Sequence, residues 1–440
     1  MEFDNIYLKE LNERGKTLFS CDKYQEAIDI YQKAIDENPM YLDTYFNMCE
    51  ALIMSDRFDE AKKTMKKVLL VKKDSGLAYF HLGNIALLEE DYEAGQLYYA
   101  KAINNGFDDP QLYMNLASVS EEDDDYEKAI EYYTKAIARD KLFYPAKIRR
   151  IQIYMAINKT SEAINACDDL IETNPEIFEG HHLKFVSLAT SKQYDAAEQV
   201  LDKAMKMFPD DQGFVLDKVK LLELTEKPEE ALSLLETINT EIVPKDVIAI
   251  EKSNLYFMLG RTAEAKELLE QCSSENDATE LLHALLMVYI DSKDYEAIVK
   301  TANRIITKEE YDSNYFTSLY YRAYALKMMG KKEEAEKAYS ETAKIMQQAC
   351  SINSGVLDLY IYRAICYAEL KEKEKANEMI EYVETVDERI AETHYIRYML
   401  LKEEEPEKAE NELAIAKSLN PDISALFENW RGVCLWGKMI

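Results

Sequence analysis

Aligned on Ala27 and stepped by 34, the chain reads Ala61, Gly95, Ala129, Ala163, Ala197, Ala231 and Ala265. Seven of these eight positions are alanine and the other is glycine. Four residues after each stand Tyr31, Met65, Tyr99, Tyr133, Cys167, Leu201, Leu235 and Leu269. Three residues before the small residue come Tyr24, Phe58, Tyr92, Tyr126, Thr160 and Tyr194. A fixed period of this length requires one supersecondary unit stacked on copies of itself, because one unit alone cannot bury its apolar stripe. Small residues at fixed offsets let two helices approach, and the aromatic knob fills the gap beside them. Prolines at 39, 175 and 209 close three of the units, since proline cannot donate the bond that would extend a helix.

Composition removes the competing folds. With 12 Gly and 9 Pro in 440 residues, the chain lacks the punctuation of a β-sandwich or an α/β array, so an all-α fold is expected. The apolar fraction of 47% is ample for a core. Lys+Arg number 53 against 83 Asp+Glu, a net charge of −30, which disfavours nucleic acid and anionic membranes as partners. No basic n-region with an apolar h-region opens the sequence, and no stretch approaches the ~18 apolar residues of a membrane span. The seven cysteines are scattered without a CxxC pair, as reduced thiols are. A cytoplasmic location is the expectation.

The small-x3-aromatic-x2-small second helix resembles the tetratricopeptide repeat family. So does the first helix, in Tyr79-x2-Leu82-Gly83-x2-Ala86 and Tyr113-x2-Leu116-Ala117. Eight repeats run without insertion over 8–41, 42–75, 76–109, 110–143, 144–177, 178–211, 212–245 and 246–279. Four more follow with slips near 279–312, 316–349, 357–390 and 390–423. The resemblance implies a right-handed superhelix of antiparallel helix pairs, an α-solenoid whose first helices line a concave groove. Extra residues around 310–314 and a second helix running on through 346–353 place a soft boundary near 312. It separates a regular array over 8–312 from a less regular one over 313–423. Residues 424–440 read as a capping helix.

Catalytic chemistry is not legible. Dinucleotide, P-loop, HExxH and GxSxG signatures are missing. His181 and His182 are neighbours on a helix and diverge by about 100°, so they cannot share a metal. The acidic run 121–125 lacks the glycine and distal glutamate of a calcium loop and reads as a solvated turn. No enzyme, no cofactor and no metal are expected.

A ligand would therefore be a protein or peptide. In the family, first-helix positions facing the groove choose it. The sixth position reads Glu13, Asn47, His81, Asn115 and Arg149, and the ninth reads Lys16, Glu50, Asn84, Ser118 and Gln152. Asn and His can bond peptide amides, and Arg can take a carboxylate. Asn84, Asn115 and Arg149 match three of five places in the carboxylate clamp of tetratricopeptide co-chaperones, whose two lysine places hold Phe80 and Pro145 here. Arg139, Lys141, Lys147, Arg149 and Arg150 form a basic island that either docks an acidic segment or neutralises the turn at 121–125. The expected groove set is Asn47, His81, Asn84, Asn115, Arg149 and Arg150.

A second aromatic set, Tyr320, Tyr321, Tyr324, Tyr362 and Tyr395, reads either as a groove wall or as packing. The apolar C-terminal segment, with Trp430, Trp436 and Ile440, offers a partner or homodimer contact. Three functions follow: a peptide-binding scaffold, a structural subunit of an assembly or homodimer, and a signalling-peptide sensor acting on a separate effector.

Overall fold

A computed structural model describes residues 2–352, 355–387, 389–421 and 423. The C-terminal contact residues Trp430, Trp436 and Ile440, and the capping helix they belong to, lie outside the described residues.

Among the described residues the chain forms 24 helices and no strand. Two compact units divide it, Met1–Gln193 and Tyr194–Ile440. The first holds α1 (Glu2–Ser20), α2 (Tyr24–Glu37), α3 (Leu42–Ile53), α4 (Phe58–Val71), α5 (Gly76–Leu88), α6 (Tyr92–Asn104), α7 (Pro110–Glu122), α8 (Tyr126–Arg139), α9 (Tyr144–Ala156), α10 (Thr160–Thr173) and α11 (Phe178–Thr190). The second holds α12 (Tyr194–Met207), α13 (Gln212–Leu224), α14 (Pro228–Leu235), α15 (Lys245–Met258), α16 (Thr262–Glu275), α17 (Thr279–Asp291) and α18 (Tyr295–Ile306). It continues with α19 (Ser313–Met328), α20 (Lys332–Ile352), α21 (Leu357–Glu369), α22 (Lys373–Val386), α23 (Ala391–Leu401) and α24 (Pro406–Leu419). Within each unit sequential helices pack on one another, and odd-numbered helices also touch, as α1 does α3 and α17 does α19. The architecture is an α-solenoid of helix pairs. No helix of the described residues is long and apolar enough to cross a membrane.

The 34-residue register sets both turns and packing. The second helices α2, α4, α6, α8 and α10 begin at Tyr24, Phe58, Tyr92, Tyr126 and Thr160, the positions the repeat marks. The turn before each carries one left-handed residue at the same spacing: Asp22, Asp56, Glu90, Asp124 and Asn158, all with φ between 55° and 60°. There the amide of Lys23 donates to Leu18 O and that of Asp22 to Phe19 O, closing the last turn of α1 in a Schellman arrangement. Asp125 then caps α8, its side chain accepting from the amide of Lys128, so the acidic run 121–125 is turn and cap.

Inside each repeat, bulk on one helix is matched by its absence on the other. Gly15 and Gly83 lie directly against the rings of Tyr31 and Tyr99, and Ala117 joins Tyr133 in one core cluster. In the fifth repeat the order inverts, with Ile151 on the first helix and Cys167 on the second, both fully buried. Total volume is kept while its source changes helix, as close packing demands.

In the second unit α19 is enclosed by α17, α18, α20 and α21, and 11 of its residues are buried. The long α20, at 21 residues, covers the rest of its length.

Candidate functional site

The first helices α1, α3, α5 and α7 enclose a cavity of about 490 Å³ in the N-terminal unit. Each of α3 and α5 contributes a polar residue followed three and four positions later by apolar ones. These are Glu50 with Ile53 and Met54, and Asn84 with Leu87 and Leu88. Helical spacing of three and four puts such residues on one face. Phe19 closes one end, Phe80 and His81 line the wall, and Gln111, Asn115 and Ser118 come from α7. Met54 and Leu88 are both more than half exposed, so apolar surface faces the opening.

Polar groups along this wall are held in a fixed chain. The Tyr99 hydroxyl donates to Asn84 Oδ1 at 2.8 Å, and Asn115 Nδ2 donates to the same oxygen at 2.9 Å. Asn115 Nδ2 also reaches the Tyr99 oxygen at 3.1 Å, and Gln111 Nε2 donates to Asn115 Oδ1 at 2.9 Å. Burial pushes the Tyr99 hydroxyl above its ordinary range, so it stays protonated. One repeat further on, the Tyr133 hydroxyl donates to Glu121, which also binds Arg149 at 2.5 Å. Tyr99 with Asn115 and Tyr133 with Arg149 share a spacing of 16 residues. The sequence carries that spacing, but residue type alone gives these aromatics to packing.

The expected groove residues separate into two groups. His81, Asn84 and Asn115 line the cavity. Asn47 stands outside it, donating to Asn12 Oδ1 at 3.3 Å, and Asn12 is in turn bound to Thr44. Arg149 is also outside the cavity and carries its own acid in Glu121. Arg150 corrects the expectation: one residue on from Arg149, it turns back onto the second helix and donates to Thr134 at 3.2 Å. Two more members of the basic island are engaged as well. Arg139 pairs with Asp108 at 2.8 Å over the Tyr113 ring, and Lys147 is buried against Asp169.

The aromatic set is corrected outright as a groove wall. Tyr320, Tyr321 and Tyr362 are fully buried, and Tyr324 and Tyr395 nearly so, all in the core of the second unit. Enclosure of α19 on every side makes these rings core. A different cavity, of about 600 Å³, opens where α20 overruns its partner, lined by Tyr311, Phe316, Ile345, Ile352, Val356 and Leu359. The insertion at 310–314 and the long α20 were its sequence signals.

His81 is buried between two rings, stacked on Phe46 at 5.6 Å and edge-on to Phe80 at 5.7 Å. Burial pushes its imidazole down to about 4, so it is neutral at pH 7. The unfolded chain protonates this group near 6.5. Its contribution to stability is complete above that value and falls as pH drops toward 4, because the unfolded state then binds the extra proton. One such imidazole loses about 2 kcal/mol by pH 5. The urea midpoint of His81→Phe is therefore expected to fall less than that of the wild type between pH 7 and pH 5.

An array of helix pairs in a 34-residue register, with first helices lining a groove, defines a helical-repeat scaffold. The chain carries tetratricopeptide repeats. The tetratricopeptide repeat models match residues 18–85, 121–184 and 188–242, and a further one matches 317–345. Similar solved structures include YrrB, a TPR protein with an unusual peptide-binding site, at 22% identity over 43% of this chain and 97% of that one, with a TM-score of 0.35. A tetratricopeptide repeat protein from Parabacteroides merdae is 15% identical over 63% of this chain and 97% of its own, with a TM-score of 0.39. The APC/C hetero-tetramer Cut9-Hcn1 has 11% identity over 94% of both chains and a TM-score of 0.41. No curated protein matches.

Proposed function

We propose that the chain is a non-catalytic scaffold that holds an extended peptide or protein segment in the groove of its N-terminal unit. The observation that carries this reading is the cavity of about 490 Å³, in which an apolar floor lies beside a fixed amide ladder. An apolar side chain of the ligand would fill the space among Ile53, Met54, Leu87 and Leu88. Its backbone would bond to Asn84 and Asn115, whose positions are set before the ligand arrives, so little ordering cost remains. The scattered, free cysteines support a cytoplasmic setting. We also infer that the array changes character near residue 312, where α19 and α20 lengthen to 16 and 21 residues.

Fluorescence anisotropy of labelled peptides selected on an array tests the groove. Asn115→Ala removes three bonds of the ladder and is expected to weaken binding about three- to tenfold. Equal binding by wild type and variant would remove this site.

A further inference from the structure

The N-terminal cavity contains one ionised side chain, Glu50, and nothing in the described protein neutralises it. Its carboxylate makes no hydrogen bond and no ion pair among the described residues. Every other candidate counter-charge is spoken for or missing. Lys16, at the matching position of the preceding helix, is bound to Glu13 at 3.0 Å. His81, the nearest titratable neighbour along the wall, is neutral. Arg149, two repeats on, belongs to Glu121. The Tyr31 phenol lies near enough to Glu50 for the carboxylate to disfavour its ionisation, and it supplies no positive charge. Partial desolvation by the surrounding helices raises the Glu50 carboxyl although the side chain is exposed, and no cation lowers it.

The Glu50 side chain is exposed at the mouth of the cavity, so water still solvates its carboxylate and a ligand can reach it. Here the carboxylate sits on the same face of α3 as Ile53 and Met54, so it borders the apolar floor. Placed there, it disfavours a ligand carboxylate and rewards a ligand cation. We infer that the groove selects a basic-apolar peptide: an aliphatic side chain seated among Met54, Leu87 and Leu88, with an adjacent Lys or Arg paired to Glu50. This rests on the groove reading above and fixes the sign of its ligand, opposite to that of a carboxylate clamp.

The test uses the full chain and a leucine-centred peptide array whose flanking positions are Lys, Gln or Glu, with anisotropy titrations at low salt. Lys-flanked peptides are expected to bind about two- to fivefold tighter than their Gln counterparts, the scale of an exposed ion pair, and Glu-flanked ones more weakly than either. In Glu50→Gln the Lys-to-Gln ratio should fall to near one. A preference for Glu, or a Lys preference that survives Glu50→Gln, would overturn the inference. Binding that Asn115→Ala weakens but that ignores flanking charge overturns the inference and leaves the groove reading standing. Binding insensitive to Asn115→Ala and to replacement of the central leucine overturns both, and so does an array on which nothing binds.

Discussion

Tyr99→Cys is expected to destabilise the N-terminal unit by about 3–5 kcal/mol, the cost of deleting a buried aromatic ring. The ring is fully buried, and its hydroxyl is the hub between Asn84 and Asn115. Nothing stands ready to fill the space, because the residue facing it is Gly83. A Cβ built at Gly83 would lie 2.5 Å from Tyr99 Cε1. Gly83→Ile alone should therefore also destabilise, by about 1–3 kcal/mol or more, through overpacking. Combining the two recreates the fifth repeat, where Ile151 and Cys167 fill one cluster with the bulk on the opposite helix. The double variant is expected to lose less than the sum of the singles, with a coupling of about 1–3 kcal/mol. Urea unfolding followed by circular dichroism reads all three, and strict additivity would show that the paired positions do not share one volume. The ladder has a separate signature: Tyr99→Phe keeps the packing and loses the hub, so its cost should be only about 1 kcal/mol.

That experiment rests on a feature the sequence displayed without explaining. The 34-residue register marked the residues at which the second helices begin without naming them as helix starts, because an array of identical joints repeats its turn wherever it repeats its small residue. It also brought His81, Asn84 and Asn115 to one wall, since positions 34 apart recur on successive helices. Residue type alone could not say which way the aromatic tyrosines of α19 and α21 face. The same ring suits a groove or a core, and only the enclosure of α19 by four helices decides for the core. Charge was harder to read. Arg149 and Glu121 are 28 residues apart, and their pairing depends on the angle between successive helices. The basic island looked like a docking surface because its partners, Asp108, Glu121 and Asp169, belong to other helices or other faces. Glu50 shows the converse: its distinction is its place, a carboxylate bordering the apolar residues of the cavity, and spacing alone does not reveal it.

Lys147 turns this difference between apparent and actual charge into a measurable contrast. Its side chain is 1% exposed, with Nζ at 2.8 Å from Asp169 Oδ2 and 2.7 Å from Thr173 Oγ1, tying α9 to α10. A buried ammonium owes its tolerance to those partners, and its own desolvation offsets much of what the pair contributes. Asp169→Ala should therefore cost about 3 kcal/mol, the low end for breaking a buried pair, because half of the Asp169 side chain is in water. Lys147→Met removes the ammonium together with its need for a partner and fills nearly the same volume. It is expected to be neutral or stabilising by about 1–2 kcal/mol, and Asp169→Ala in that background should cost far less than in the wild type. Peptide affinity should be unchanged in Lys147→Met, since the ammonium never reaches the groove. A weakened ligand there would return Lys147 to the binding surface. An equal loss from Asp169→Ala in both backgrounds would mean that the two side chains do not depend on each other.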